Sequence, residues 1–160
     1  MTDASPQEKI AELAKRPDID TVLDQYERIR TEIRERLAEE LGLAGEWRRP
    51  YNESETPCGR PYSDIGDAVA VQMASSANDT HIPDDEWPRA KELFVEIAGR
   101  YGFGDPRVIV NEPGNHEIRV RDRFGGDIML GTEKATVLSS GTGCHLIQGA
   151  GSGEATPAPG

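Results

Sequence analysis

The chain is poor in the side chains that do chemistry. Its 160 residues include two cysteines, Cys58 and Cys144, and three histidines, His81, His116 and His145. A zinc site needs at least three such ligands to converge, and none of these stands at a recognised ligand spacing. No metal and no cofactor are expected. No serine lies in a G-x-S-x-G elbow, and "SSGTG" at Ser139–Gly143 reads as the end of a strand. No carboxylate pair stands out among the 29 acidic residues. The sequence therefore points away from an enzyme. The alternatives are a hydrolase or transferase using Cys144 or a histidine, and a purely structural domain.

Positive charge is also scarce. Eighteen Lys and Arg against 29 Asp and Glu give a formal net charge of −11. Nucleic-acid binding draws its affinity from cations that displace phosphate counterions, so nucleic acid is excluded as a partner. Adsorption on anionic lipid is disfavoured for the same reason. No run approaches the ~20 apolar residues of a membrane-spanning helix. The N-terminal "MTDASPQEKI" has no basic segment followed by an apolar one, so it holds no signal peptide. On this reading the protein either stays in the cytoplasm or has lost an export segment.

What is present is a single domain's worth of patterned sequence. Residues 1–17 form an N-terminal segment with a short helix that starts at Ser5 or Pro6, places Ile10, Leu13 and Ala14 on one side, and stops before Pro17. Residues 18–148 form the domain, and 149–160, "GAGSGEATPAPG", a flexible tail. A helix is predicted over 21–41, capped by Asp18 or Asp20 and ended by Gly42, with Val22, Tyr26, Ile29, Ile33, Leu37 and Leu41 as its apolar stripe. Its polar faces offer Asp24→Arg28 and Glu32→Arg36 pairs. "EWRRPYNESETPCGRPYSDIG", 46–66, has three prolines and no periodicity, which predicts a long loop tied down at Cys58. "DAVAVQMAS" alternates as a strand.

A second helix is predicted over 86–101, with Asp85 as N-cap and Asp84, Asp85 and Glu86 at the positive end of its dipole. Trp87, Ala90, Phe94, Ile97, Ala98 and Tyr101 are its buried stripe. Strands follow over 107–112, 116–122, 127–131 and 134–140, joined by short Gly-containing turns. In the second of them Ile118 and Val120 face one way and Glu117, Arg119 and Arg121 the other, the mark of a sheet with one covered and one wet face. The expected fold class is α+β: a two-layer sandwich, with an antiparallel sheet of about four strands and helices packed on one face.

Four stretches occur in order: "DQYERIRTEIRERL", "TPCGRPYSD", "IPDDEWPRAKELFVEIAGRYGF" and "GTEKATVLSSGTGCHL". Together they resemble the LppA-like lipoproteins of mycobacteria and related actinobacteria, over roughly Asp18 to Leu146. The most specific pieces are "DEWPRA" and "TGCHL". The resemblance implies a domain without an established reaction, held outside the cell membrane by a lipid on an N-terminal cysteine. This sequence carries neither signal segment nor lipobox cysteine, so cell-envelope localisation rests on the resemblance alone.

Cys58 and Cys144 stand 86 positions apart. As residues they read as a disulfide, as two free buried thiols, or as chemistry at Cys144–His145. Neighbours on an extended strand point to opposite faces, which disfavours proton exchange between that sulfur and that imidazole. The resemblance to exported proteins favours the disulfide. For a ligand, the 46–66 segment gathers Arg48, Arg49 and Arg60 with Tyr51 and Tyr62, near Trp47. Guanidinium and aromatic groups suit carboxylates, phosphates and sugars. These five residues are the candidate ligand contacts, and a small anionic ligand or an envelope component is the expected partner.

Overall fold

The computed structural model describes residues 4–43, 45–49 and 52–147. The expected tail at 149–160 and the candidate contact Tyr51 lie outside them. Helix α1 is Pro6–Leu13, opened by a capping box. The Ser5 hydroxyl accepts the Glu8 N–H, and the Glu8 carboxylate accepts the Ser5 N–H. Helix α2 is Ile19–Leu41, where Asp18 accepts the Thr21 N–H at 2.9 Å. That bond is the main reason the Asp18 carboxyl is held below its ordinary pKa. At the other end Gly42 takes φ 63°, a conformation glycine adopts without steric cost.

Val22, Tyr26, Ile29, Ile33 and Leu37 are buried, as the spacing predicts, and Leu41 is partly so. The polar face departs from expectation at one pair. Asp24 and Arg28 meet at 3.5 Å, but Glu32 pairs with Arg100 at 2.8 Å and accepts the Tyr101 hydroxyl, while Arg36 turns to Glu40. Helix α3, Trp87–Arg100, lies close enough to compete for Glu32. Its start is corrected too. The N-cap is Glu86, without a side-chain bond, rather than Asp85, because the Trp87 N–H is taken by the Pro83 carbonyl at 2.9 Å and Pro88 has no N–H to offer an Asp85 cap.

Arg30 is the buried residue that the stripe did not announce. It is 1% exposed, and its guanidinium donates to the Ser140 hydroxyl at 3.1 Å, the Ser76 hydroxyl at 2.8 Å and the Ala74 carbonyl. Without a carboxylate beside it, burial pushes its pKa down to about 10. It staples α2 to the sheet.

Among the described residues nine strands form that sheet: β1 (Trp47–Arg48), β2 (Ser54–Pro57), β3 (Ala68–Gln72), β4 (Ser76–Asn78), β5 (Gly104–Glu112), β6 (Asn115–Arg121), β7 (Asp127–Thr132), β8 (Thr136–Gly141) and β9 (His145–Leu146). The order is β1-β4-β8-β7-β6-β5, with β3 between β2 and β9 and touching β8. The sheet is antiparallel throughout and not closed. Four strands was an undercount. β1, β4 and β9 are too short to show alternation, and β2 pairs Ser54–Pro57 with Gln72–Val69 inside the segment read as a loop.

Ile118, Leu130 and Leu138 align across β6, β7 and β8, beside Val120 and Ile128, and α2 and α3 cover them. Each such buried side chain contributes about 1.5–3 kcal/mol, so this layer dominates stability. Helices on one face describes α2 and α3 only. Helix α1 packs through Leu13 on a second cluster with Tyr62, Ile65, Ala68 and Leu146. The parity of β3 separates the two: Ala68 goes to the second cluster, Val71 and Met73 to the first.

Candidate functional site

Cys58 and Cys144 form a disulfide, with Cα atoms 5.6 Å apart. Cys58 directly follows β2, and Cys144 directly precedes β9, the two strands flanking β3. The bond thus ties the Pro-rich segment to β9. With sulfur bonded to sulfur, Cys144 offers no thiolate for nucleophilic attack.

A cleft of about 340 Å³ opens beside this bond, walled by Arg60, Pro61 and Tyr62 on one arm and by Arg16, Phe124 and Gly143 on the other. Arg16 donates to the Cys144 carbonyl at 2.8 Å, the Phe124 carbonyl at 3.4 Å and the Tyr62 hydroxyl at 3.4 Å. Its guanidinium lies 5.1 Å from the Tyr62 ring centre and 5.2 Å from that of Phe124. The Arg123 guanidinium is 4.9 Å from Phe124. These are cation–π distances, and they hold long side chains in place. Tyr62 donates to Glu12 at 2.8 Å; burial, then that carboxylate, pushes its phenol pKa up.

The Phe124 turn is itself fixed. One Asp122 oxygen accepts the N–H groups of Phe124 and Gly126, each at 2.8 Å, and the other accepts the Tyr26 hydroxyl. Gly143 packs flat against this turn. A Cβ on it would stand 1.8 Å from the Phe124 carbonyl oxygen.

The charge pattern sets this cleft apart. Arg28, Arg34, Arg36, Arg48, Arg49, Arg89, Arg100, Arg107 and Arg119 all have a carboxylate partner. Among the described residues, Arg16, Arg30, Arg60, Arg121 and Arg123 are the arginines outside such pairs. Two of them, Arg16 and Arg60, line this cleft, and a third, Arg123, lies over the Phe124 ring. On a chain with a net charge of −11, that grouping is against the trend.

The structure divides the candidate contacts read from sequence. Arg60 and Tyr62 line the disulfide cleft. Arg48 is paired with Asp79 at 2.8 Å, and Arg49 with Glu27 at 2.9 Å. Arg49 borders a different cleft, of about 560 Å³, whose other charged walls are Asp20, Asp24, Glu27 and Glu53. Arg16, Arg123 and Phe124 were missed, because they come from distant points of the chain and share no motif. "RDRFGGD" announced a turn, not a wall.

Two of the three histidines are held in the fold, and His81 is exposed. His145 is fully buried, with Nδ1 2.8 Å from the Pro17 carbonyl. A carbonyl only accepts, so Nδ1 carries the proton, and Nε2 is left buried without a partner. Phe124 meets this ring edge-on at 5.4 Å. His116 lies between Asp84 at 2.7 Å and Asn111 at 3.0 Å and stacks on Trp87, tying the β5–β6 turn to the start of α3.

Burial lowers the His145 pKa, with the Pro17 carbonyl and Asp122 acting the other way. The folded state therefore binds this proton more weakly than the unfolded chain. Stability from this group is complete above about pH 6.5 and is lost as pH falls toward the folded pKa. The unfolding midpoint of the wild type is expected to drop more steeply than that of His145→Gln between about pH 7 and pH 5. Parallel pH profiles for the two proteins would remove His145 from this role.

Among the described residues, no group of three or more His, Cys, Asp or Glu could hold a metal, and no helix is long and apolar enough to cross a membrane. A lipoprotein LppA from Mycobacterium tuberculosis has a similar fold, with TM-score 0.64 and 14% identity, over 88% of this chain and 85% of that one. So does a DUF4853 family protein from Actinomyces odontolyticus, with TM-score 0.60 and 17% identity, over 83% and 71%. No curated protein matches the chain. The profile of the LppA family, described as a lipoprotein confined to pathogenic Mycobacterium, matches residues 1–148. With nearly the whole chain covered, this protein belongs to the LppA family.

Proposed function

We propose that this LppA-family domain is a non-enzymatic binding module of the cell envelope and that its ligand, a small anion, sits in the cleft beside the disulfide. The observation that carries the reading is that Arg16 and Arg60, neither paired with a carboxylate among the described residues, line one cleft with Tyr62 and Phe124. A guanidinium without a counter-charge favours an incoming anion by a charge-assisted bond, about 1.5–3 kcal/mol where water is excluded and less at exposed Arg60. The cleft's volume is within the range of small-ligand sites. The family's description as a lipoprotein, together with cysteines joined in a disulfide, supports an oxidising compartment outside the cytoplasm. Bonded cysteines also favour binding over nucleophilic catalysis.

A ¹H–¹⁵N titration with sodium sulfate, at ionic strength held constant with chloride, tests this reading. Saturable shifts are expected at the amides of Arg60, Phe124 and Gly143, and Arg60→Gln is expected to weaken the binding about tenfold or more. Non-saturating shifts scattered over the surface would end the proposal.

A further inference from the structure

The aromatic faces of the cleft are already occupied. Arg16 lies over Tyr62, and Arg16 and Arg123 both lie over Phe124. A sugar recognised by stacking needs an open ring face, so these rings serve to hold guanidinium groups rather than to meet a ligand. Recognition here is by charge. We infer that the group recognised is a phosphate monoester on a small organic body, an inference that rests on the anion reading of the cleft.

The charge balance selects that group. Two guanidiniums without carboxylate partners among the described residues, Arg16 and Arg60, line one cleft, and a third, Arg123, lies over its Phe124 ring. A carboxylate carries one charge on two oxygens and fills one guanidinium fork. A phosphate monoester carries about −1.5 to −2 at neutral pH on three acceptor oxygens, and matches more than one fork at once. The other hydrogen-bonding groups nearby are already engaged: the Thr142 hydroxyl accepts the Val71 N–H and donates to the Gly143 carbonyl, and the Tyr62 hydroxyl donates to Glu12. Arg16 already donates to the Phe124 and Cys144 carbonyls and to the Tyr62 hydroxyl, which leaves Arg60 and the remaining N–H groups of Arg16 to decide selectivity. About 340 Å³ admits the phosphate together with a short organic body.

The disulfide-intact full chain is titrated with glycerol 3-phosphate and with glucuronate at matched ionic strength. Flotation is measured with phosphatidylcholine vesicles containing either phosphatidate, which ends in a phosphomonoester, or phosphatidylglycerol, a diester. The phosphate is expected to bind at least ten times more tightly than glucuronate. Arg60→Gln, at a residue exposed and without a carboxylate partner among the described residues, is expected to weaken it several-fold with the thermal midpoint unchanged. Equal affinity for glucuronate overturns the phosphate assignment while leaving the anion site standing. Silence toward both anions overturns the two together. Flotation with phosphatidate alone places the phosphate on a lipid, and soluble binding without flotation places it on a free small molecule; either supports the class. Equal flotation with phosphatidylglycerol overturns monoester selectivity.

Discussion

Replacing both cysteines, Cys58→Ser/Cys144→Ser, is expected to lower the unfolding free energy by about 4–5 kcal/mol. The bond closes a loop of 86 positions, and in the chain-entropy model the open chain regains that freedom only when unfolded. Domains of this kind have about 5–15 kcal/mol in total, so the variant stands near the edge of folding. The loss is also local. Arg60 and Tyr62 belong to the arm that Cys58 anchors, and Arg16 bonds the Cys144 carbonyl. Sulfate binding should vanish even where the main core under α2 and α3 survives. Equilibrium denaturation with and without a dithiol reductant checks both effects. A wild type that loses less than about 1 kcal/mol on full reduction would contradict the entropic role given to this bond.

The second large effect comes from one methyl group. Gly143→Ala puts a carbon 1.8 Å from the Phe124 carbonyl oxygen and 2.7 Å from its carbon. Both are backbone atoms of a turn that Asp122 holds in place, so no flexible side chain can swing away. A cost of about 3 kcal/mol is expected, at the upper end for overpacking, with anion binding abolished as Phe124 and the guanidiniums over it are displaced. Gly59→Ala is the control. It lies next to Cys58 in the same cleft, yet nothing stands within 4 Å of the added carbon. Its effect should stay within about 0.5 kcal/mol. Comparable losses in the two variants would show that the close contact at Gly143 is not what shapes the cleft.

The helices were legible because each carries a stripe several turns long. Val22 to Leu37, and Trp87 to Ala98, repeat often enough to outweigh any single misplaced residue. The same holds for β6, where Ile118 and Val120 alternate with charged neighbours. Strands of two to four residues carry no such signal, and β2 holds Pro57 within a polar run. What made Ser54–Pro57 a strand is its pairing with β3, a tertiary event. Asp85 does not cap α3, because the Pro83 carbonyl holds the Trp87 N–H and Pro88 has none to give.

At the site, Arg60 and Tyr62 were visible as a basic and aromatic pair within one segment. Arg48 and Arg49 were indistinguishable from them in sequence, and only the folded chain shows that Asp79 and Glu27 neutralise one set and not the other. Arg16 and Phe124 became part of the cleft through two turns that no local pattern joins. Arg30 was hidden by its own chemistry, since an arginine between Ile29 and Thr31 reads as surface unless the hydroxyls of Ser76 and Ser140 are known to await it.

The most direct test is to look for the anion itself. Crystals of the oxidised protein soaked in sodium tungstate should show an anomalous peak between the Arg16 and Arg60 guanidiniums, bounded by Phe124 and the disulfide. Tungstate ordered only at other arginines, such as Arg121 on the open face of the sheet, with none beside the disulfide, would contradict the assignment.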